Sequence, residues 1–186
     1  MTTADLLVPP LAAGAARLRS GGTTTAAELA SAVGRDTARF VLLRARPDSL
    51  PVLDVDVLTT ATDANPAFRV RHTHARLCAV ARHAEALEVS GRGDTGELTH
   101  PRELELLGLL AEYEGITGRN EQYRLARYLE SLAEVCARFE ASCPALPLGD
   151  EPVTGLHRAR VALCADARRV LADALGRLDV SAPVQM

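Results

Sequence analysis

The 186-residue sequence predicts an all-α fold, an antiparallel helical bundle with a short extended segment near the N-terminal third. Three observations lead there. Apolar residues make up 47 % of the chain and aromatic residues only 3 %, so Leu, Val and Ala must fill the core. An Ala/Leu-rich interior suits helices packed at close range, whereas sheets favour β-branched and aromatic residues. Leu125, Leu129, Leu132, Cys136 and Phe139 recur at alternating spacings of four and three, which lines one helical face. Asn65-Pro66 and His100-Pro101 put proline at a first helical position, where its missing N–H costs nothing.

In chain order, residues 1–23 read as a flexible tail or linker, with Pro9-Pro10 and Ser20-Gly21-Gly22 against regular structure. Residues 24–186 read as one helical domain. Thr25 with Glu28 has capping-box spacing for a short helix that Gly34 ends, and a second helix spans Asp36 to Arg44. Pro47 and Pro51 hold an extended crossing in which Val52, Val55 and Val57 form one strand-like segment. Asn65 caps a long helix running to about Leu87, and Ser90–Gly96 reads as a loop. Pro101 opens a helix with Leu104, Leu107 and Ala111 on its apolar face. The Leu125 seam belongs to the next helix. The last spans Thr154 to Leu178, burying Leu156, Leu163, Ala167, Val170, Ala174 and Leu178.

No apolar run approaches the roughly 20 residues of a membrane span, and Met1-Thr-Thr-Ala-Asp lacks the basic flank of a secretory signal. The expected location is the cytoplasm, without membrane contact. All 21 basic residues are arginine, the side chain that forks onto phosphate and stacks on bases. The net charge of −3 argues against a broad basic footprint, so any nucleic-acid contact must come from a local patch. Cys78, Cys136, Cys143 and Cys164 form no C-x-x-C pair and read as buried thiols. His72 and His74 point to different sides of a helix and cannot chelate one metal together. Glu103 and Glu105 read as surface carboxylates. No metal, cofactor or catalytic residue is predicted.

Several blocks carry a family resemblance. They are Thr25-Ala-Ala-Glu-Leu-Ala-Ser-Ala-Val-Gly-Arg-Asp-Thr-Ala-Arg-Phe40, Asp54-Val-Asp-Val57 and Asn65-Pro-Ala-Phe-Arg-Val-Arg-His-Thr-His-Ala-Arg76. Thr99-His-Pro-Arg-Glu103, Leu125-Ala-Arg-Tyr-Leu-Glu-Ser-Leu-Ala133, the stretch from Gly149 to Leu163 and the terminal Val180-Ser-Ala-Pro-Val-Gln-Met186 follow in order. Together they resemble the C-terminal anticodon-binding (DALR-type) domain of arginyl-tRNA synthetase. The resemblance implies a bundle of the class I synthetase anticodon-binding type and arginine tRNA as partner. Where the family has a Lys-Met-Ser-Lys-like loop, this chain reads Arg17-Leu-Arg-Ser-Gly-Gly22, and it has no counterpart of the ATP-binding fold. The expectation is a non-catalytic protein.

In the helix resembling the anticodon-facing one, the family usually reads Tyr-Val-Gln-Tyr-Ala-His-Ala-Arg, and this chain reads Arg69-Val-Arg-His-Thr-His-Ala-Arg76. Arg69, His72, Arg76 and His83 fall within roughly 60° of one another and form one polar stripe. With Arg71 beside it, that stripe is the expected RNA-binding surface, extended by Arg158, Arg169 and the terminal Met186. The function expected is binding of arginine tRNA or a related RNA in a delivery, sequestering or regulatory role. The alternative is a degenerate synthetase paralogue that has lost tRNA binding and works through another protein or as a homodimer.

Overall fold

The seam from Leu125 to Phe139 lines one helix in the computed structural model, which describes residues 15–46, 48–89, 93–119 and 121–186. The order is β1 (Ala15–Leu18), β2 (Thr23–Thr25), α1 (Ala26–Val33), α2 (Arg35–Leu43), β3 (Val52–Leu53) and α3 (Val55–Leu58). It continues with α4 (Pro66–Ala86), a 3-10 turn (Thr95–Glu97), α5 (Pro101–Ala111), α6 (Tyr113–Thr117), α7 (Gln122–Ser142) and α8 (Gly155–Arg177). Every residue of the α7 seam is buried, and it shares one core with Val70 and Leu77 of α4, Leu106 of α5 and Leu163, Ala167 and Leu171 of α8.

Polar pairs set the helix directions. Arg138, late in α7, reaches Glu105, early in α5, at 2.6 Å, while Tyr128 donates to the Leu109 carbonyl at 3.0 Å, so α5 and α7 are antiparallel. Along α8, Arg160 meets Glu103 and Asp173 meets Tyr113, so α8 runs parallel to α5. With α4 packed on both α7 and α8, this is the expected up-and-down bundle. α4 starts and ends where expected: the Asn65 amide oxygen accepts from the N–H groups of Ala67 and Phe68 at 3.1 and 3.3 Å, and Leu87 closes the helix.

The N-terminal third departs from the sequence reading. Residues 1–14 of the expected tail lie outside the described residues, but Ala15–Leu18 is a strand rather than a linker. It pairs antiparallel with β2 and parallel with β3, and Ala16 is wholly buried in a second small core with Leu29, Ala38, Val41, Leu53 and Leu58. Three separate short pieces make this sheet, a long-range pairing that no local pattern announces. The crossing after Pro51 is also not one strand: β3 stops at Leu53, and Val55–Leu58 is helical because Asp54 accepts from the Val57 N–H at 3.3 Å. Pro47, and residues 90–92 of the expected Ser90–Gly96 loop, lie outside the described residues. The Thr25–Glu28 capping box forms as read, and Gly34 takes φ +84°, a left-handed value that turns α1 into α2.

In α5 the expected apolar face is only partly kept: Leu107 packs partly buried against the core, while Ala111 is exposed. Leu104 is 53 % exposed, and Leu106 and Glu103 are buried instead. Glu103, read as a surface carboxylate, is 1 % exposed because its two oxygens accept from the His100 N–H at 2.8 Å and from Arg160 at 2.7 Å. A carboxylate satisfied on both oxygens can displace a leucine from the core side of a helix. In α8, Leu163, Ala167, Ala174 and Leu178 are buried as expected, and Leu156 and Val170 only partly. All four cysteines are buried free thiols, and burial pushes Cys164 up to about 12. Among the described residues no helix is long and apolar enough to cross a membrane.

Candidate nucleic-acid interface

α4 carries the predicted stripe, and the structure separates its members by what holds them. Arg69 is half-buried, and its Nε is buried without a hydrogen-bond partner. The His72 ring stacks on Phe68, one helical turn earlier, with centroids 5.1 Å apart and planes inclined by 20°. Arg76 is half-exposed and pairs with Glu140 of α7 at 3.2 Å. Burial raises the Glu140 carboxyl above its ordinary range and Arg76 pulls it back, so the contact lies at the margin of the core. His83 is exposed in the last turn. The stripe therefore offers two partly exposed guanidiniums and a two-ring stack on one solvent-facing side.

Arg71 points elsewhere. It donates to the Ser181 carbonyl at 3.3 Å and the Ser181 hydroxyl at 2.9 Å, and lies 3.4 Å from Asp36 of α2. It begins a row in which α4 holds the chain end. His74 Nδ1–H donates to the Pro183 carbonyl at 2.8 Å, and Arg82 to the Val184 carbonyl at 3.2 Å. A carbonyl only accepts, which fixes the proton on Nδ1 of His74. At 100° per residue, Arg71, His74 and Arg82 lie roughly 140° round α4 from the stripe. The chain end thus runs along a flank of α4 away from Arg69 and Arg76, leaving Met186 56 % exposed. On α8, Arg158 is half-buried in the first turn, while Arg169 is exposed and paired with Asp166 at 2.9 Å. The structure does not gather all eight predicted residues on one face.

Sequence reasoning missed Arg39, Asp36 and Arg82. Arg39 is 4 % exposed, donates to the Leu178 carbonyl at 2.6 Å and lies 3.5 Å from Asp179. That contact closes the end of α8 onto α2 and sets where the final segment departs. Its only sequence signal is an arginine on the apolar side of a short helix. Among the described residues no cluster of three or more His, Cys, Asp or Glu is placed to hold a metal.

Residues 70–186, which include most of α4 and all that follows, match the DALR anticodon binding domain. The chain belongs to that family. This DALR chain is 44 % identical over 90 % of its length to the arginine–tRNA ligase of Frankia alni, and covers 32 % of that protein. It is 43 % identical to the arginine–tRNA ligase of Clavibacter sepedonicus, covering 90 % of this chain and 31 % of the ligase. It therefore spans about a third of the length of these curated relatives. The Thermus thermophilus arginyl-tRNA synthetase superposes with a TM-score of 0.66 at 25 % identity, over 88 % of this chain and 28 % of the other. A Campylobacter jejuni chain described as an arginyl-tRNA synthetase shares the fold at TM-score 0.69 and 15 % identity, over 92 % of this chain and 39 % of the other.

Proposed function

We propose that this DALR domain binds arginine tRNA or a related RNA through the Arg69/His72/Arg76 face of α4. Its role on this reading is to deliver, sequester or sense that RNA, with no ligation by the domain itself. The observation that supports it most is that the matched third of the ligases is their anticodon-binding part, and that α4, inside it, presents Arg and a stacked ring pair outward. Arg69 and Arg76 fork onto phosphate oxygens, and the Phe68–His72 stack gives a base a ring edge to pack on. Arg76 must exchange Glu140 for phosphate, which lowers its net yield.

A tRNA titration at two salt concentrations tests this. Each phosphate neutralised on a single-stranded loop contributes roughly −0.7 to the slope of log K against log salt, so Arg69→Ala with Arg76→Ala should flatten the slope by about 1.4. Arg69 is half-buried and Arg76 pairs with Glu140, so circular dichroism and a urea midpoint of the double variant are read beside the titration to show that the fold survives. A parent chain without affinity at low salt refutes the reading. The second reading, a paralogue acting through a protein partner or as a homodimer, draws on the carboxylates already beside Arg71, Arg76 and Arg169. It predicts that refuting result.

A further inference from the structure

Between the α7–α8 connection and the first two turns of α8 lies an open cavity of about 460 Å³, lined by Pro144, Leu148, Pro152, Leu156, His157 and Arg160 among others. No residue of α4 lines it, so it is separate from the proposed RNA face. Its volume is in the range of ligand sites. The apolar part is left open, with Leu148 63 % exposed. A turn holds that leucine in place, because its N–H donates to Glu151 at 3.1 Å and Gly149 takes φ +60°. The bond uses one oxygen of Glu151 and leaves the other as an acceptor. His157 Nδ1 accepts from the Thr154 N–H at 3.2 Å in the α8 cap, so the ring proton is on Nε2, which bonds to no described residue. Arg160 commits Nε to Glu103 at 2.7 Å and one terminal nitrogen to the Pro144 carbonyl at 2.9 Å, and its other terminal nitrogen bonds to no described residue. Two donors and one acceptor therefore stand without protein partners beside aliphatic side chains.

Charge narrows the ligand class. Glu103 already neutralises Arg160, while Asp150 and Glu151 are exposed and form no ion pair with a described residue. The rim is therefore net acidic, which disfavours a phosphate or a free carboxylate and favours a cation beside the carboxylates. The two donors then call for uncharged acceptors. An extended peptide meets these demands together. Its carbonyls accept from Arg160 and His157, an N–H donates to Glu151, and alternate side chains settle on Leu148, Pro152 and Leu156. Pro144, Leu148 and Pro152 are all exposed, so a free small molecule would stay half in water, whereas a segment of a folded partner brings its own cover.

We infer that this cavity docks an extended segment of a partner protein, apolar at alternate positions and carrying an Arg or Lys beside Glu151. The inference is independent of the RNA reading and gives the second reading, action through a protein partner, a surface. Nuclear magnetic resonance on the full chain tests it, following the Leu148 and Leu156 methyl groups and the His157 ring during titration with capped tetrapeptides. Ala-Leu-Arg-Leu should shift these signals saturably. Ala-Leu-Glu-Leu should bind about two- to fivefold more weakly, the scale of an exposed ion pair. Ala-Ser-Arg-Ser should lose about tenfold or more, the scale of one buried aliphatic side chain. Leu148→Ser, at an exposed position that needs no core space, should weaken Ala-Leu-Arg-Leu about tenfold, read at Leu156 and His157. Glu151→Gln keeps an oxygen for the Leu148 N–H and should erase the preference for Arg over Glu. Circular dichroism and urea midpoints check the fold of each variant, and Arg69→Ala with Arg76→Ala should leave peptide affinity unchanged. No saturable shift with Ala-Leu-Arg-Leu, or undiminished affinity in Leu148→Ser, overturns the assignment. Equal affinity of the parent for the Arg and Glu peptides overturns it too. Bulk tRNA that shifts the same signals and displaces the peptide assigns the cavity to RNA and likewise overturns it.

Discussion

Replacing Glu103 should destabilise this domain more than replacing any exposed carboxylate. Glu103 is 1 % exposed and Arg160 is 15 % exposed, so their 2.7 Å contact is sheltered from water on both sides. Removing one partner of such a pair leaves the other charge buried and uncompensated, at a cost of about 3–5 kcal/mol. Glu103→Ala also deletes the acceptor for the His100 N–H at the start of α5, a cap of about 1 kcal/mol. Arg160 keeps its 2.9 Å bond to the Pro144 carbonyl, which places the total near the lower end of that range. Glu103→Gln is a second, milder probe. Its amide has a single oxygen for two donors, so either Arg160 or His100 loses its acceptor, at about 1.5–3 kcal/mol for the charged case. Urea unfolding followed by circular dichroism reads both variants. Combining Glu103→Gln with Arg160→Met should recover part of the loss, because the stranded charge is then gone. If both single variants shift stability by less than about 1 kcal/mol, the pair is solvated and the burial argument fails.

Glu140 supplies a pH dependence of definite sign. Its folded carboxyl is raised by burial, so the native state holds a proton that the unfolded state has already released, and stability falls as pH rises from the ordinary carboxylate range through the raised value. Glu140→Gln should therefore equal the parent in acid and exceed it near neutrality; urea midpoints whose difference is flat with pH would contradict this. Leu129→Ala, at a site with no exposure in the α7 seam, should cost about 2–5 kcal/mol by urea unfolding. Arginine-dependent ATP–pyrophosphate exchange should stay at background in a pure preparation of this chain, and exchange above background would refute the non-catalytic reading.

The helical framework was legible because it is local. Asn65-Pro66, Thr25 with Glu28, and the spacing from Leu125 to Phe139 each encode a cap or a face within one or two turns, and each stands as read. The RNA-facing candidates were legible only as types on a helix, since periodicity places Arg69, His72 and Arg76 on one side without saying what lies opposite them. Partners distant in the chain decided the rest. The contacts of Arg71 come from Asp36 and Ser181, which meet it in space from distant parts of the chain, and Glu103 entered the core because Arg160 waits there. The same holds for Ala15–Leu18, whose composition suggests a loose tail and whose strand exists because Thr23–Thr25 and Val52–Leu53 complete its hydrogen bonds on either side. Charge pairing and strand pairing depend on which residues the bundle brings together, and that information resides in the packing of α2, α4, α5 and α8 rather than in any short stretch of sequence.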